Sequence, residues 1–285
     1  MTEHRLLTSI STFSLYPLPL RAALPLIRRA GFDGVELVAP PVVHARIAAR
    51  LAELVRRHGL AVLSVHQTLF GYGPLLPLER RARDAVALAL AVGAPRIVLH
   101  SPHVRAWAQP AGERWLETLA QLQKQAAAAG ACISIENVDW NPRLDKPVVL
   151  GEMHALAGFA ARRGLGVTLD TCHAMRSHAD LLESYKALGP QMVNVHLSDW
   201  RDIGAGERRL VQRSLMANHL LPGQGQAPLA ALLRRLAADG YAGPVTLEVN
   251  PWALRPWSPA QCLGRLEQAV AYIRQAGQGS APQGA

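Results

Sequence analysis

GLGVTLDTCH (164–173) carries a helix stop, a short apolar run and an ionisable residue in immediate succession. Gly164 follows an amphipathic stretch, and glycine is favoured just past a helix because it takes a positive φ at no steric cost. GVTLD (166–170) has the length and β-branched content of a strand in a buried parallel sheet. Asp170 closes that run, and His173 follows it by three residues.

Outward from this unit, the same order recurs along the chain. Helical runs such as VVHARIAARLAELVRRH (42–58) and PLAALLRRLAAD (228–239) lead into Gly31, Gly59, Gly93, Gly130, Gly164, Gly189, Gly240 and Gly277. Except after Gly277, a strand-like run comes next. These are GVELV (34–38), AVLSV (61–65), RIVLH (96–100), CISIE (132–136), MVNVH (192–196) and VTLEV (245–249), beside GVTLD. An eighth, near SISTFSL (9–15), opens the chain. Strands alternating with helices imply right-handed βαβ units and a parallel sheet. Eight units in 285 residues favour a closed (β/α)8 barrel, an α/β TIM barrel in one domain, over an open doubly wound sheet. The catalytic domain is expected over residues 1–276, with the Gly-, Pro- and Ala-rich tail 277–285 disordered. A long insertion, about 197–227, breaks the rhythm, and loops of that length are usually functional.

No apolar run approaches a membrane span, and the N-terminus lacks the basic and apolar segments of a signal peptide. Cys132, Cys172 and Cys262 are odd in number and far apart, which points to a reducing, cytoplasmic setting without a disulfide framework. The net charge is +9, so a polyanion partner such as nucleic acid stays open, although most arginines fall on the outer faces of amphipathic helices.

In a barrel the active site lies at the C-terminal ends of the strands. Reading only those ends gives His66, His100, Glu136, Asp170, His196 and Glu248 from the third to the eighth strand. Ionisable groups directly after apolar runs are costly unless paired or metal-bound. Glu136, Asp170, His196 and Glu248 form a mixed oxygen and nitrogen set suited to Mn2+, Mg2+, Co2+ or Zn2+. His66, His100, His173 and His219 are candidates either for substrate contact or for additional metals. Trp107, Trp140, Asp199 and Arg201 fall after strands and are candidate substrate contacts. No phosphate-binding P-loop and no Gly-x-Ser-x-Gly elbow is present.

GFDGVEL (31–37), IENVDW (135–140), LDTCHA (169–174), VHLSD (195–199), HLLPGQG (219–225) and LEVNP (247–251) resemble the xylose isomerase-like barrel superfamily over nearly the whole chain. That group contains sugar epimerases, isomerases, dehydratases and the endonuclease IV class (AP endonuclease family 2). The epimerase resemblance implies one divalent metal held by Glu136, Asp170, His196 and Glu248. It also implies a metal-stabilised enediolate, Glu136 and Glu248 as acid and base, and His173 on a substrate oxygen. The expected substrate is then a small sugar or polyol. Epimerases of this type often form dimers or tetramers, so a homo-oligomer is an expectation of the same kind. The alternative is a metal-dependent phosphoester hydrolase. Endonuclease IV is similar at His66, His100, Glu136, Asp170, His173, His196, His219 and Glu248, but position 217 is Ala where its pattern has Asp. A non-catalytic ligand-binding barrel is the third reading, disfavoured by the intact carboxylates.

Overall fold

A computed structural model describes residues 5–40, 45–69, 76–139, 147–203 and 216–278. Eight parallel strands close on themselves in sequence order: β1 (Leu7–Ser11), β2 (Gly34–Val38), β3 (Ala61–His66), β4 (Arg96–Leu99), β5 (Cys132–Glu136), β6 (Gly166–Asp170), β7 (Met192–Leu197) and β8 (Pro244–Leu247). Closure runs through β1 and β8, with Ile10 level with Leu247.

The helices between them are α1 (Leu20–Ala30), α2 (Ala45–Arg57), α3 (Leu78–Val92), α4 (Pro110–Ala128), α5 (Met153–Arg163), α6 (Thr171–Arg176), α7 (Leu181–Leu188), α8 (Leu229–Ala238), α9 (Pro251–Leu254) and α10 (Pro259–Gly277). None of the described helices is long and apolar enough to cross a membrane.

Alternation along each strand sorts its residues into two environments. Ile10, Val35, Leu37, Val65, Ile97, Leu99, Ile133, Ile135, Val167, Leu169, Val195, Leu197, Val245 and Leu247 join the inner faces of the helices in one apolar core. The intervening residues are buried and mostly polar, Val98 on β4 being an apolar exception. Ser134 shares a 2.8 Å hydrogen bond with Thr168, Thr246 donates to Asn194, and Ser64 donates to Glu36. Much of the lumen is therefore hydrogen-bonded polar side chains, which satisfies groups that would be costly to bury alone.

Three expectations need correction. The first strand is Leu7–Ser11 rather than the region 9–15, because Thr12–Leu15 forms a 3-10 turn. The eighth strand ends at Leu247, and the Val249 N–H donates to Ser14 Oγ instead of extending the ladder. Gly277 is the last residue of α10, not a left-handed stop. Gly34 shows a different use of glycine: a Cβ there would sit 2.5 Å from the Ala61 carbonyl oxygen, so only glycine lets β2 and β3 approach. The tail 279–285 lies outside the described residues.

Candidate active site

Each of the last four strands delivers one ionisable side chain to the same end of the barrel. Glu136 ends β5, Asp170 ends β6, His196 sits one residue before the end of β7, and Glu248 follows β8. One ligand atom from each lies within 4.8 Å of the others, and all four residues are buried.

His196 is held from both sides. Its Nδ1 is 2.7 Å from Glu248 Oε2 and 3.6 Å from Glu136 Oε2. Its Nε2 is 3.1 Å from the nearer oxygen of Glu36, which reaches it from across the lumen. Burial alone would lower the His196 pKa, but Glu248, Glu36 and Glu136 together hold it well above its usual value. The same attraction works in reverse on the carboxylates. Burial opposes ionisation of Glu136, yet His100 and His196 keep its carboxyl well below the usual range. Glu248 is likewise brought down to about 2 against burial, chiefly by His196. Asp170 moves the other way, since burial raises it more than His173 and His219 lower it.

Local structure fixes these side chains. Asp170 caps α6 through a 2.7 Å bond from the His173 N–H to Oδ1. Asn137 locks the Asp170 backbone, accepting from its N–H at 2.6 Å and donating to its carbonyl. The second oxygen, Oδ2, is buried and has no hydrogen-bond partner among the described residues; His196 Nδ1 also lacks an aligned one. Three carboxylates and an imidazole with two such unsatisfied atoms suit a hard or borderline divalent cation. The donor set therefore fits the metal that the sequence implied.

The four additional histidines fall into two groups. His66 donates from Nδ1 to the Gln67 carbonyl at 2.7 Å and turns Nε2 to Glu136 Oε2 at 3.1 Å. His100 approaches that same oxygen at 3.1 Å. His173 Nδ1 is 3.2 Å from Glu136 Oε1, and its pKa is lifted to about 10 against burial by Asp170 and Glu136. His219 takes a positive φ of 48° and lies beside Ser198 and the Glu248 carbonyl. Asp170, His173 and His219 make a second group with ligand atoms within 4.8 Å of one another.

Trp107, Asp199 and Arg201, expected as substrate contacts, are not among the residues that line the cavity at the strand ends. Trp107 stacks on Trp115 and Phe159 at centroid distances of 5.8 and 5.1 Å, which places it in the packing of α4 and α5. Asp199 accepts from the backbone N–H groups of Gly223, Gly225 and Ala227, and so folds the segment after β7. A Cβ at Gly225 would collide with that carboxylate. Arg201 is exposed and bonds the Gln224 carbonyl at 2.5 Å. Trp140 lies outside the described residues, as does 204–215 within the insertion.

Sequence reading missed Glu36 and Asn137 as parts of the site. Glu36 is hidden in GVELV, where it reads as one polar residue within a strand. The available signal was parity: it alternates with Val35 and Leu37, which face the outer core.

Above the cluster a cavity of about 630 Å³ opens at the strand ends, with His100, Glu136, His173, His219 and Glu248 on its polar side. That is within the roughly 300–1,000 Å³ typical of small-molecule sites.

A family model described as xylose isomerase-like TIM barrel matches residues 24–275. An uncharacterized protein of Mycobacterium tuberculosis (strain ATCC 25618 / H37Rv) is 30% identical over 271 residues, covering 86% of this chain and 89% of that protein. The 3-dehydroshikimate dehydratase of Pseudomonas aeruginosa is 27% identical over 257 residues, which cover 85% of this chain but 37% of that enzyme. Among solved structures, a D-tagatose 3-epimerase-like protein superposes with a TM-score of 0.66 at 20% identity, covering 94% of this chain and 98% of that one. The 3-keto-D-glucoside 4-epimerase of E. coli does so with 0.66 at 16%, covering 95% and 100%. The structural neighbours share the fold, and the family model spans nearly all of the barrel. With its eight strands closed in order and its ionisable residues gathered at their C-terminal ends, this chain belongs to the xylose isomerase-like TIM barrel family.

Proposed function

We propose that the protein is a divalent-metal-dependent isomerase or epimerase acting at a hydroxy-carbonyl unit of a sugar- or polyol-derived substrate. One observation carries this reading: Glu136, Asp170, His196 and Glu248 each bring a ligand atom to one buried point, and the two glutamates also border the cavity. A divalent cation held there would draw electron density from the substrate's carbonyl and hydroxyl oxygens and ease loss of the proton on the carbon between them. The chain's own residues do the rest. Glu136 and Glu248 are both held ionised, and whichever takes that proton becomes the carboxylic acid that returns it. His173 borders the cavity and, charged, can donate to a substrate oxygen. Asn137 and Glu36 keep Asp170 and His196 in place.

Turnover of the substrate in D2O with mass detection tests the reading. Wild-type protein should introduce solvent deuterium at carbon, and Glu248→Gln should lower the rate by at least about a hundredfold, the size of a lost acid–base group. Deuterium incorporation that survives in Glu248→Gln removes the assignment. A second reading, metal-dependent phosphoester hydrolysis, is favoured by the Asp170, His173 and His219 group. Two or three metals per chain and no deuterium at carbon select it.

A further inference from the structure

The ligand cluster accounts for only one side of the cavity. The rest of the cavity wall is mostly apolar or aromatic and includes Phe13, Tyr16, Pro17, Leu69, Trp252 and Trp257. Most of these come from the segments after β1 and β8, the two strands that close the barrel. Tyr16, Trp252 and Trp257 are 58%, 59% and 57% exposed, and the two indoles meet edge to face at 4.9 Å. Exposed aromatic groups beside a polar cluster mark a surface meant to be covered. Asn250 stands on this wall too, but its amide accepts from the Ala253 N–H and donates to the carbonyls of Asn218 and His219. The other side-chain hydrogen-bonding groups here are the Tyr16 hydroxyl and the two indole N–H groups, set among apolar faces. A chain hydroxylated along its length would therefore give up more bonds to water than this wall returns, and that is costly.

We propose, building on the isomerase reading above, that the substrate carries an apolar, planar substituent beyond its hydroxy-carbonyl end. The polar end meets the Glu136, Asp170, His196 and Glu248 cluster, and the substituent lies against Trp252 and Trp257. The favoured class is an aryl- or similarly substituted hydroxy ketone, or a sugar bearing such a group, rather than a free sugar hydroxylated along its length. The cavity of about 630 Å³ is large enough for both parts.

Two minimal probes separate these classes: 2-hydroxyacetophenone, with a phenyl group on a hydroxy ketone, and dihydroxyacetone, with a hydroxymethyl group in its place. Titration calorimetry is done on the full chain, both loaded with Mn2+ and stripped with EDTA. The phenyl probe should bind about tenfold tighter or more, the gain expected for covering one aromatic ring. Trp252→Ala and Trp257→Ala should each reduce that preference, and thermal melting confirms that these variants remain folded. Equal binding of the two probes in both protein forms overturns the proposal. If the preference appears but Mn2+ changes neither affinity, the substituent site stands and the metal reading falls. If the tryptophan variants alter only self-association, the aromatics belong to a subunit interface and the proposal is wrong.

Discussion

Glu36 is wholly buried, and its carboxylate accepts from Ser64 Oγ at 2.7 Å and from Asn194 while facing His196 Nε2. A carboxylate behind an imidazole fixes the ring's orientation and makes its other nitrogen a better donor to a metal. Glu36→Ala should therefore weaken Mn2+ binding by about 10–100-fold in calorimetry, the usual cost of losing such a partner. Glu36→Gln, which still offers Nε2 an acceptor oxygen, should lose less. Affinities equal to wild type in both variants would show Glu36 to be packing alone. That Glu136, Asp170, His196 and Glu248 gather at one end of the barrel was legible in the sequence because each falls at the close of an apolar run, where a lone charge is conspicuous. Glu36 was not, because it sits mid-strand and its partner lies 160 residues away. Trp107 misled in the opposite direction, since following a strand says nothing about whether a ring turns to the mouth or onto Phe159.

At the scale of elements, a polar residue stands two positions before the site residue on five strands: Ser64 and His66, Ser134 and Glu136, Thr168 and Asp170, Asn194 and His196, Thr246 and Glu248. This alternation was in the sequence, but the strands were read as uniformly apolar runs, and the polar lumen went unseen. The strand order and the helices between were legible because the repeat is regular. The first strand was misplaced because nothing local separates Ser11 from the turn that follows it. The β1–β2 junction also carries a stability device. Asp33 accepts from the Thr8 N–H at 2.9 Å and the Thr8 hydroxyl at 2.8 Å, and pairs with Arg5. Burial opposes its ionisation, but these bonds outweigh burial and its pKa falls below the usual value. A group with a lowered folded pKa adds stability above its unfolded pKa of about 3.9, and that stability is lost as pH falls through the folded value. Asp33→Asn should cost about 1–3 kcal/mol at pH 7, as for hydrogen bonds to a charged acceptor. The gap to wild type should narrow in urea melts near pH 3. A gap of the same size at both pH values would mean that the charge plays no part.

For the whole molecule, the proposed ligand set brings side chains from four strands to one point. Glu136 and Glu248 are 112 residues apart (248 − 136), so the unfolded chain cannot present the site preformed. A cation that binds there stabilises the folded barrel and not the unfolded chain, and its contribution grows with its concentration. At a hundred times Kd this is about 2.7 kcal/mol. In a chain somewhat longer than 250 residues, each kcal/mol moves the melting temperature by roughly 2 °C. Saturating Mn2+ should therefore raise the Tm of EDTA-treated protein by about 5 °C, and the rise should continue with the logarithm of metal concentration. Asp170→Asn should flatten that dependence, because it removes one of the three carboxylates. It should leave the metal-free protein close to wild type, since asparagine keeps the oxygen that caps α6 and Oδ2 has no hydrogen-bond partner among the described residues, so that the chief loss is the attraction to His173. The two measurements separate a metal site from a structural ion cluster. In a structural cluster, Asp170→Asn would melt lower without metal and Mn2+ would shift neither protein. In a metal site, the variant stays close to wild type in EDTA and falls behind only as Mn2+ is added.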